Sequence, residues 1–337
     1  WFPNEQGKKK LKEIIYNLKL KGKNKQYDAI LGLSGGIDSS YLALRSKEWG
    51  LRLLVVHVDG GWNSEMAVSN IDKLVDYCGY ELVTNVIDWN EMRDLQLSYL
   101  KAGVSNQDVP QDHAYFASLF KFSVESDIST ILSGGNLATE GISPDWMFDP
   151  LDLANIKAIH KINGLLKLKN FPKLTFYQRY FLYPFFKKLK VLRPLNYINY
   201  NKENALLELK KTVGWKDYGR KHGESHFTKF YQNFYLPYRY NYDKRRPHFS
   251  SLIVTEQMTR HEAILKLEKP LYSKLELEKD LDYTCNKLEI SRSELKKFIE
   301  LEPVEHETFS NQQKIFLILK KIQRVFEKLS GKRLNFY

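Results

Sequence analysis

Short apolar runs alternate with segments of helical spacing along the first 135 residues: YDAILGL (27–33), LRLLVVHV (51–58), YELVTNVI (80–87) and STILSGG (129–135). An unbroken apolar run predicts a strand covered on both faces, as in a parallel sheet, because a strand with one wet face would alternate. The segments between them, such as SSYLALRSKEWG and SEMAVSNIDKLVDYCG, space apolar residues three and four apart. They close on Gly50 and Gly79, glycine being the favoured helix stop. VLRPLNYI (191–198) predicts a fifth strand, followed by the helix NKENALLELKKTVG. The expected fold is α/β, a doubly wound, mostly parallel, Rossmann-like five-stranded sheet with right-handed crossovers.

Three further segments frame that sheet. Residues 1–26 set eight lysines around Leu11, Ile14, Ile15 and Leu18, predicting an amphipathic lead-in helix with a solvated basic face. Residues 141–190 form an excursion between strands four and five. Its aromatic, lysine-rich stretch FYQRYFLYPFFKKLKVL suits a local helical core, a substrate groove or a membrane surface. From residue 220 the pattern is helical, with a capping box from Ser291 to Glu294 and an amphipathic helix in NQQKIFLILKKIQRVFEKLSG. The expected division is an α/β domain over 1–219 and a helical domain over 220–337 that contributes to the site.

Composition narrows the classes. The net charge of +12 favours an anionic partner without choosing among nucleotide, nucleotide-sugar, RNA or anionic membrane. Cys78 and Cys285, the two cysteines, stand far apart, which excludes a disulfide scaffold or a cysteine-rich metal site within the chain and suits a reducing, cytoplasmic setting. No run reaches the ~18 apolar residues of a membrane span. Because the chain opens on Trp1 rather than Met, the lack of a leader says little about targeting.

Candidate chemistry begins where the first strand ends, in LSGGIDSS (33–40). A glycine-rich turn from strand to helix points backbone N–H groups and the positive helix end at an anion. Leu33, Ser34, Gly35, Gly36, Asp38, Ser39 and Ser40 are therefore candidates for a phosphate cradle, with Asp38 able to hold magnesium. No lysine follows the glycines, so this is not the GxxxxGK[ST] loop, and it is not GxGxxG. Open α/β sheets bind ligands beyond the carboxyl ends of their strands. That rule adds His57, Val58 and Asp59 after the second strand and Gly134, Gly135, Asn136 and Glu140 after the fourth.

Downstream, YNYDKRRPHFSSLI supplies Lys244, Arg245 and Arg246, with His248 near, as cations for charge on a departing group or as an ordinary basic turn. WKDYGRKHGESHFTKF packs Lys221, His222, Glu224 and His226 between aromatics, suiting a polar substrate or nucleotide site better than a metal, since the order is not HExxH and Gly223 weakens any helix. VPQDHAYF offers Gln111, Asp112 and His113 as substrate ligands or general base, or as a polar helix start. SPDWMFDP offers Asp145 and Asp149 for sugar hydroxyls beside Trp146, or as loop caps.

The Ser-Gly-Gly-x-Asp-Ser loop after a buried strand resembles that of the PP-loop ATP pyrophosphatases, which clamp the β,γ-pyrophosphate and leave the α-phosphorus open to attack. WFPNEQGKKKL, YDAILGLSGGIDSSYLA, VPQDHAYFASLFKFS, GWKDYGRKHGESHFTKFYQNFYLP and DKRRPHFSSLI together resemble the N-acetyl sugar amidotransferases of bacterial surface-polysaccharide and flagellin-sugar pathways, over nearly the whole chain. The resemblance implies ATP and Mg2+, with Asp38, Lys244, Arg245, Asp112 and His113 catalytic. It implies Asn136, Glu140, Asp145, His222, Glu224 and Arg246 at the substrate. The implied reaction turns an acetamido into an acetamidino group on an activated sugar, a UDP-sugar or a nonulosonic acid, through an O-adenylyl imidate. Ammonia would come from a glutaminase with a cyclase-like channel subunit, and no nucleic-acid partner is implied. Family members commonly carry cysteine pairs upstream of the segment resembling Trp1–Gly7, so zinc is expected only through residues upstream of this chain. A tRNA-modifying PP-loop enzyme is the alternative that the charge suits, although neither cysteine lies near a predicted strand end; a non-catalytic nucleotide-binding scaffold is a third reading, which the intact loop disfavours.

Overall fold

The computed structural model describes residues 1–144, 146–219 and 222–330. Five parallel strands, β1 (Ala29–Gly32), β2 (Leu53–Asp59), β3 (Glu81–Val86), β4 (Thr130–Leu132) and β5 (Lys190–Leu192), lie in the order β3-β2-β1-β4-β5. Lead-in helix α1 (Glu5–Gly22) precedes them; α2 (Ile37–Glu48), α3 (Glu65–Cys78), α4 (Trp89–Ala102), α5 (Val109–Glu125), α6 (Leu137–Glu140), α7 (Leu153–Asn163) and α8 (Lys202–Val213) make the connections. The sheet is the doubly wound α/β arrangement its apolar runs predict.

Alternate residues of the central strands enter opposite layers. Leu31, Leu33, Leu53 and Val55 join α1, α2, α3 and α8 in one core, while Ile30, Leu54, Val56 and Ile131 join Phe120 of α5 and Tyr183 in another. With both faces covered, the period-two signal vanishes from β1 and β2. Two strands differ from expectation. β3 is an edge strand whose Glu81 and Val86 are exposed. β5 stops at Leu192 and a 3₁₀ turn follows over Pro194–Tyr197, because Pro194 has no N–H for a ladder.

The excursion divides its aromatics. Tyr180 and Tyr183 are buried from a π-helical stretch over Gln178–Phe186, while Phe181, Phe185 and Phe186 face outward. The C-terminal helices α9 (His226–Phe230), α10 (Leu236–Tyr240), α11 (Arg245–Val254), α12 (Arg260–Glu268), α13 (Lys274–Leu288), α14 (Arg292–Ile299) and α15 (Gln313–Ser330) lie beside the sheet domain. Phe227, Phe230, Tyr231 and Tyr235 pack on Trp62 and Leu100, so this segment shares a core with the loops it covers. Backbone bonds from Ser64 to Glu224 and from His226 to Trp62, both 2.9 Å, pin its start to the loop after β2. Among the described residues no helix is long and apolar enough to cross a membrane.

Candidate active site

The loop after β1 and the loop after β4 meet where the strand order reverses, the place at which open α/β sheets bind ligands. Gly35 has φ +84°, which glycine adopts freely, and its carbonyl accepts a bond from Tyr218 at 2.9 Å. Gly36 caps α2 without any side chain, leaving the positive end of the helix uncovered at its first turn. Ser34 and Ser39 brace the turn from within: their hydroxyls lie 3.2 Å apart, the Gly36 N–H donates to Ser34 Oγ at 3.3 Å, and Ser39 Oγ donates to the Gly36 carbonyl at 3.2 Å. Gly134 closes the other side, where an added Cβ would stand 2.6 Å from the Ser39 nitrogen and 2.8 Å from the Asp38 carbonyl carbon. Neither backbone atom can rotate away. Gly134→Val is expected to splay the loop and weaken any phosphate ligand there at least tenfold, about 1.4 kcal/mol, as read by nucleotide titration of the folded variant.

These loops floor a cavity of 510 Å³ lined by Ser34, Gly36, Asp38, Ser39, His57, Val58, Gly134, Gly135, Glu140, Gln111, Asp112, His222, Glu224, Lys244 and His248 among others. Segments far apart in the chain therefore converge. Other candidates lie elsewhere. Leu33 and Ser40 are buried, the former in the core and the latter in the first turn of α2. Asp59 holds its own turn by accepting from the Gly61 N–H at 2.8 Å and from Asn63 at 3.0 Å. Asn136 caps α6 through the Thr139 N–H at 2.9 Å. His113 is buried outside the cavity with both ring nitrogens engaged, Nδ1 on the Pro150 carbonyl at 2.9 Å and Nε2 accepting from the Leu174 N–H at 3.1 Å. Burial lowers its pKa to about 4. Arg245 faces away: its guanidinium pairs with Asp243 and donates to the carbonyls of Lys266, Leu267 and Lys269. Arg246 is exposed. Asp149 pairs with Arg179 at 2.6 Å in a neighbouring cavity. Asp145 and Lys221 fall outside the described residues.

His222 and His226 do not converge. His222 sits at φ 58° with Nδ1 3.5 Å from Glu224, whereas His226 begins α9 with its ring tilted 33° against that of Tyr283, centroids 4.2 Å apart. Among the described residues no three His, Cys, Asp or Glu side chains gather for a metal ion.

Several lining residues carry no motif signal of their own. Asp108 occupies the N-cap position of α5 but makes no cap bond; it accepts instead from Thr228 at 3.1 Å and Gln111 at 3.2 Å. Asp112 follows it by four residues, so both carboxylates sit on one helix face. Burial raises the pKa of both, and the charge of Asp108 pushes Asp112 further, with Lys244 opposing the rise in each. Glu224 behaves oppositely: burial would raise its carboxyl, but the hydrogen bond and charge of His222 hold it below the ordinary range. Its Oε1 lies 3.0 Å from where a Cβ on Gly36 would stand. Tyr200, deeply buried, donates to Asp38, and Lys202 at the start of α8 adds a second lysine. Lys244 reaches Met147 Sδ at 3.0 Å and lies 5.4 Å above the Trp146 ring. The cavity thus gathers the carboxylates of Asp38, Asp108, Asp112, Glu140 and Glu224 against Lys202 and Lys244, the reverse of the chain's overall charge.

The residues present fit a magnesium nucleotide. Magnesium takes one or two carboxylates and completes its shell with phosphate oxygens and water, and Asp38 and Glu224 border the phosphate loop.

Comparison with known proteins finds a family-model match over part of the second half of the chain. Among the solved structures that align, three examples show low similarity. NMN synthetase from Francisella tularensis is 13% identical with a TM-score of 0.39, covering 76% of this chain and 95% of that one. The NH3-dependent NAD synthetase from Campylobacter jejuni is 19% identical with a TM-score of 0.31, covering 46% and 72%. The U34-tRNA thiolase NcsA from Methanococcus maripaludis is 15% identical with a TM-score of 0.37, covering 79% and 82%. These values are too low to carry any function across. No curated protein matches the sequence. Residues 224–324, which supply Glu224, Thr228, Gln232 and Lys244 to the cavity, match the model of the LPS biosynthesis protein WbpG-like family, C-terminal domain.

Proposed function

We propose that the chain is an ATP-dependent amidotransferase that converts the acetamido group of an activated sugar to an acetamidino group, releasing AMP and pyrophosphate. The observation that carries this reading is the union, in one cavity, of the Ser34–Ser39 loop with the carboxylate pair of buried Asp108 and half-buried Asp112 and with Lys244. A loop alone would serve any nucleotide; a carboxylate pair of raised pKa beside it suits a reaction that must also take a proton from an incoming amine. The match of residues 224–324 to an LPS biosynthesis family supports a sugar as acceptor.

In this reading the loop and the first turn of α2 hold the β,γ-pyrophosphate. The acetamido oxygen attacks the α-phosphorus, the bond to pyrophosphate breaks with its electron pair, and Lys244 and Lys202 offset charge on the departing group. Asp38 and Glu224, which border the loop, would hold a magnesium ion, which would supply Lewis-acid neutralisation of that charge. Asp112 then takes a proton from ammonium. The nitrogen lone pair attacks the imidate carbon, the C–O bond breaks, and AMP leaves with those electrons. The acceptor is a UDP-linked sugar or a nonulosonic acid, and the ammonia is supplied by a glutaminase with a cyclase-like channel subunit.

Incubation of the protein with ATP, ammonium and a panel of acetamido sugars is expected to yield AMP, never ADP, with replacement of one oxygen by NH in the sugar by mass spectrometry. AMP formed on tRNA instead, with no sugar product, sinks the proposal.

A further inference from the structure

The cavity, acidic on balance, does not account for the chain's positive charge, and that charge is not spread evenly. Residues 153–201 hold ten Lys and Arg and no Asp or Glu, and residues 313–330 of α15 hold five against the single acid Glu327. These segments carry formal charges of +10 and +4, together more than the +12 of the whole chain. All eight lysines of the first segment and all five basic residues of the second are exposed. Arg179 is buried and paired with Asp149. Lys187 lies near Asp127, but Lys25 already pairs with that carboxylate at 2.6 Å.

Both segments also turn large apolar side chains outward. In the π-helical stretch, spacings of four and five residues bring Tyr177, Phe181 and Phe186 to one face. Tyr177 stacks on Phe181 at 6.1 Å, and Phe186 is 72% exposed. On α15 the exposed Ile315, Ile318, Ile322 and Val325 recur three and four apart, which makes a single apolar stripe flanked by the lysines. The two elements are contiguous: the Tyr180 and Phe316 rings lie 5.6 Å apart, and Lys320 Nζ lies 4.7 Å above the Phe316 ring.

The charge selects among the occupants that an apolar stripe could take. A two-fold contact with a second copy would set the same basic rim against itself, and like charges oppose it. A nucleic acid would pair with the lysines, but the isoleucines and Val325 offer no ring on which a base could stack. A membrane surface of anionic phospholipid matches both parts, since headgroups take the lysines while apolar side chains enter the acyl boundary. We propose that α15 and the π-helical stretch form a docking surface for an anionic phospholipid bilayer, on which the chain lies. Docking there is independent of the reaction in the cavity, whose lining includes none of these residues.

The test mixes the full chain at low salt with vesicles of phosphatidylcholine alone and of phosphatidylcholine with phosphatidylglycerol, and reads bound protein by co-flotation. The wild type is expected to float with the anionic vesicles, to ignore the neutral ones, and to be released by salt. Ile318→Ser with Ile322→Ser is expected to weaken binding at least tenfold by removing the stripe. Lys187→Gln with Lys188→Gln is expected to weaken it about twentyfold by removing two charges. Thermal unfolding should be unchanged in both; if the serine variant unfolds, Phe186→Ser, on the other element, takes its place. Failure of the wild type to float with anionic vesicles overturns the proposal. So does a dimer in light scattering that the serine variant converts to monomer. Equal capture of the anionic vesicles and of single-stranded RNA, with the serine variant unimpaired for both, also overturns it, because charge alone would then explain the binding.

Discussion

Lys244→Ala is expected to lower kcat for AMP formation by about 10²–10³-fold, whereas Arg245→Ala leaves the chemistry and weakens the fold. The two residues are adjacent in sequence and similar in charge, but Lys244 lines the cavity and Arg245 does not. Lys244 points at Met147 and Trp146, so its ammonium lies in a partly dry pocket where a positive charge interacts strongly with phosphate. Arg245 spends its donors on Asp243 and three carbonyls at the end of α12. Its loss orphans those carbonyls and lowers Tm. Steady-state AMP release and thermal unfolding of the two variants check both halves. Equal loss of turnover in the two, with equal stability, contradicts the assignment.

Asp112→Asn is expected to cut kcat/KM for ammonium by about 10²–10⁴-fold while making the protein more stable at neutral pH. The activity loss follows from removing the proton acceptor. The stability gain follows from linkage. A carboxyl whose pKa is raised by folding binds more protons folded than unfolded. Its ionised form therefore opposes folding above the raised pKa, and that penalty disappears as pH falls below the ordinary value of about 3.9. The variant should melt higher than wild type at pH 8 and at the same temperature near pH 3.5. The acid limb of the wild-type rate, displaced toward neutrality by the same raised pKa, should vanish in the variant's residual activity. A variant that turns over ammonium normally assigns the base to Asp108 or Glu224 instead.

Much of the α/β half was legible because its signals are local. Apolar runs specify strands buried on both faces, Gly79 at φ 69° stops α3, and Ser291 with Glu294 forms the capping box over α14. The turn after β1 was legible too, since a short backbone motif needs glycine and hydroxyl residues at fixed spacing. Where expectation and fold parted, a neighbour decided. β3 became an edge because no strand lies beyond it, and Pro194 shortened β5.

The site's electrostatics were legible only in part. Lys244 and Asp112 stood out by their company, but Asp108 reads in sequence as an ordinary helix cap, and Tyr200 as an ordinary core tyrosine. Their orientation depends on Thr228 and Asp38, 120 and 162 positions away. His113, one residue from Asp112, points into the core because successive helix positions lie about 100° apart.

The amino-acid sequence by itself determined the strands, the glycine-hinged loop after β1 and the helical tail, all set by contacts within a few residues. Only the tertiary structure decided which charges meet. It turned a chain of net charge +12 into one with an acidic cavity, because burial and long-range packing, not composition, decide which side chains share a space without water.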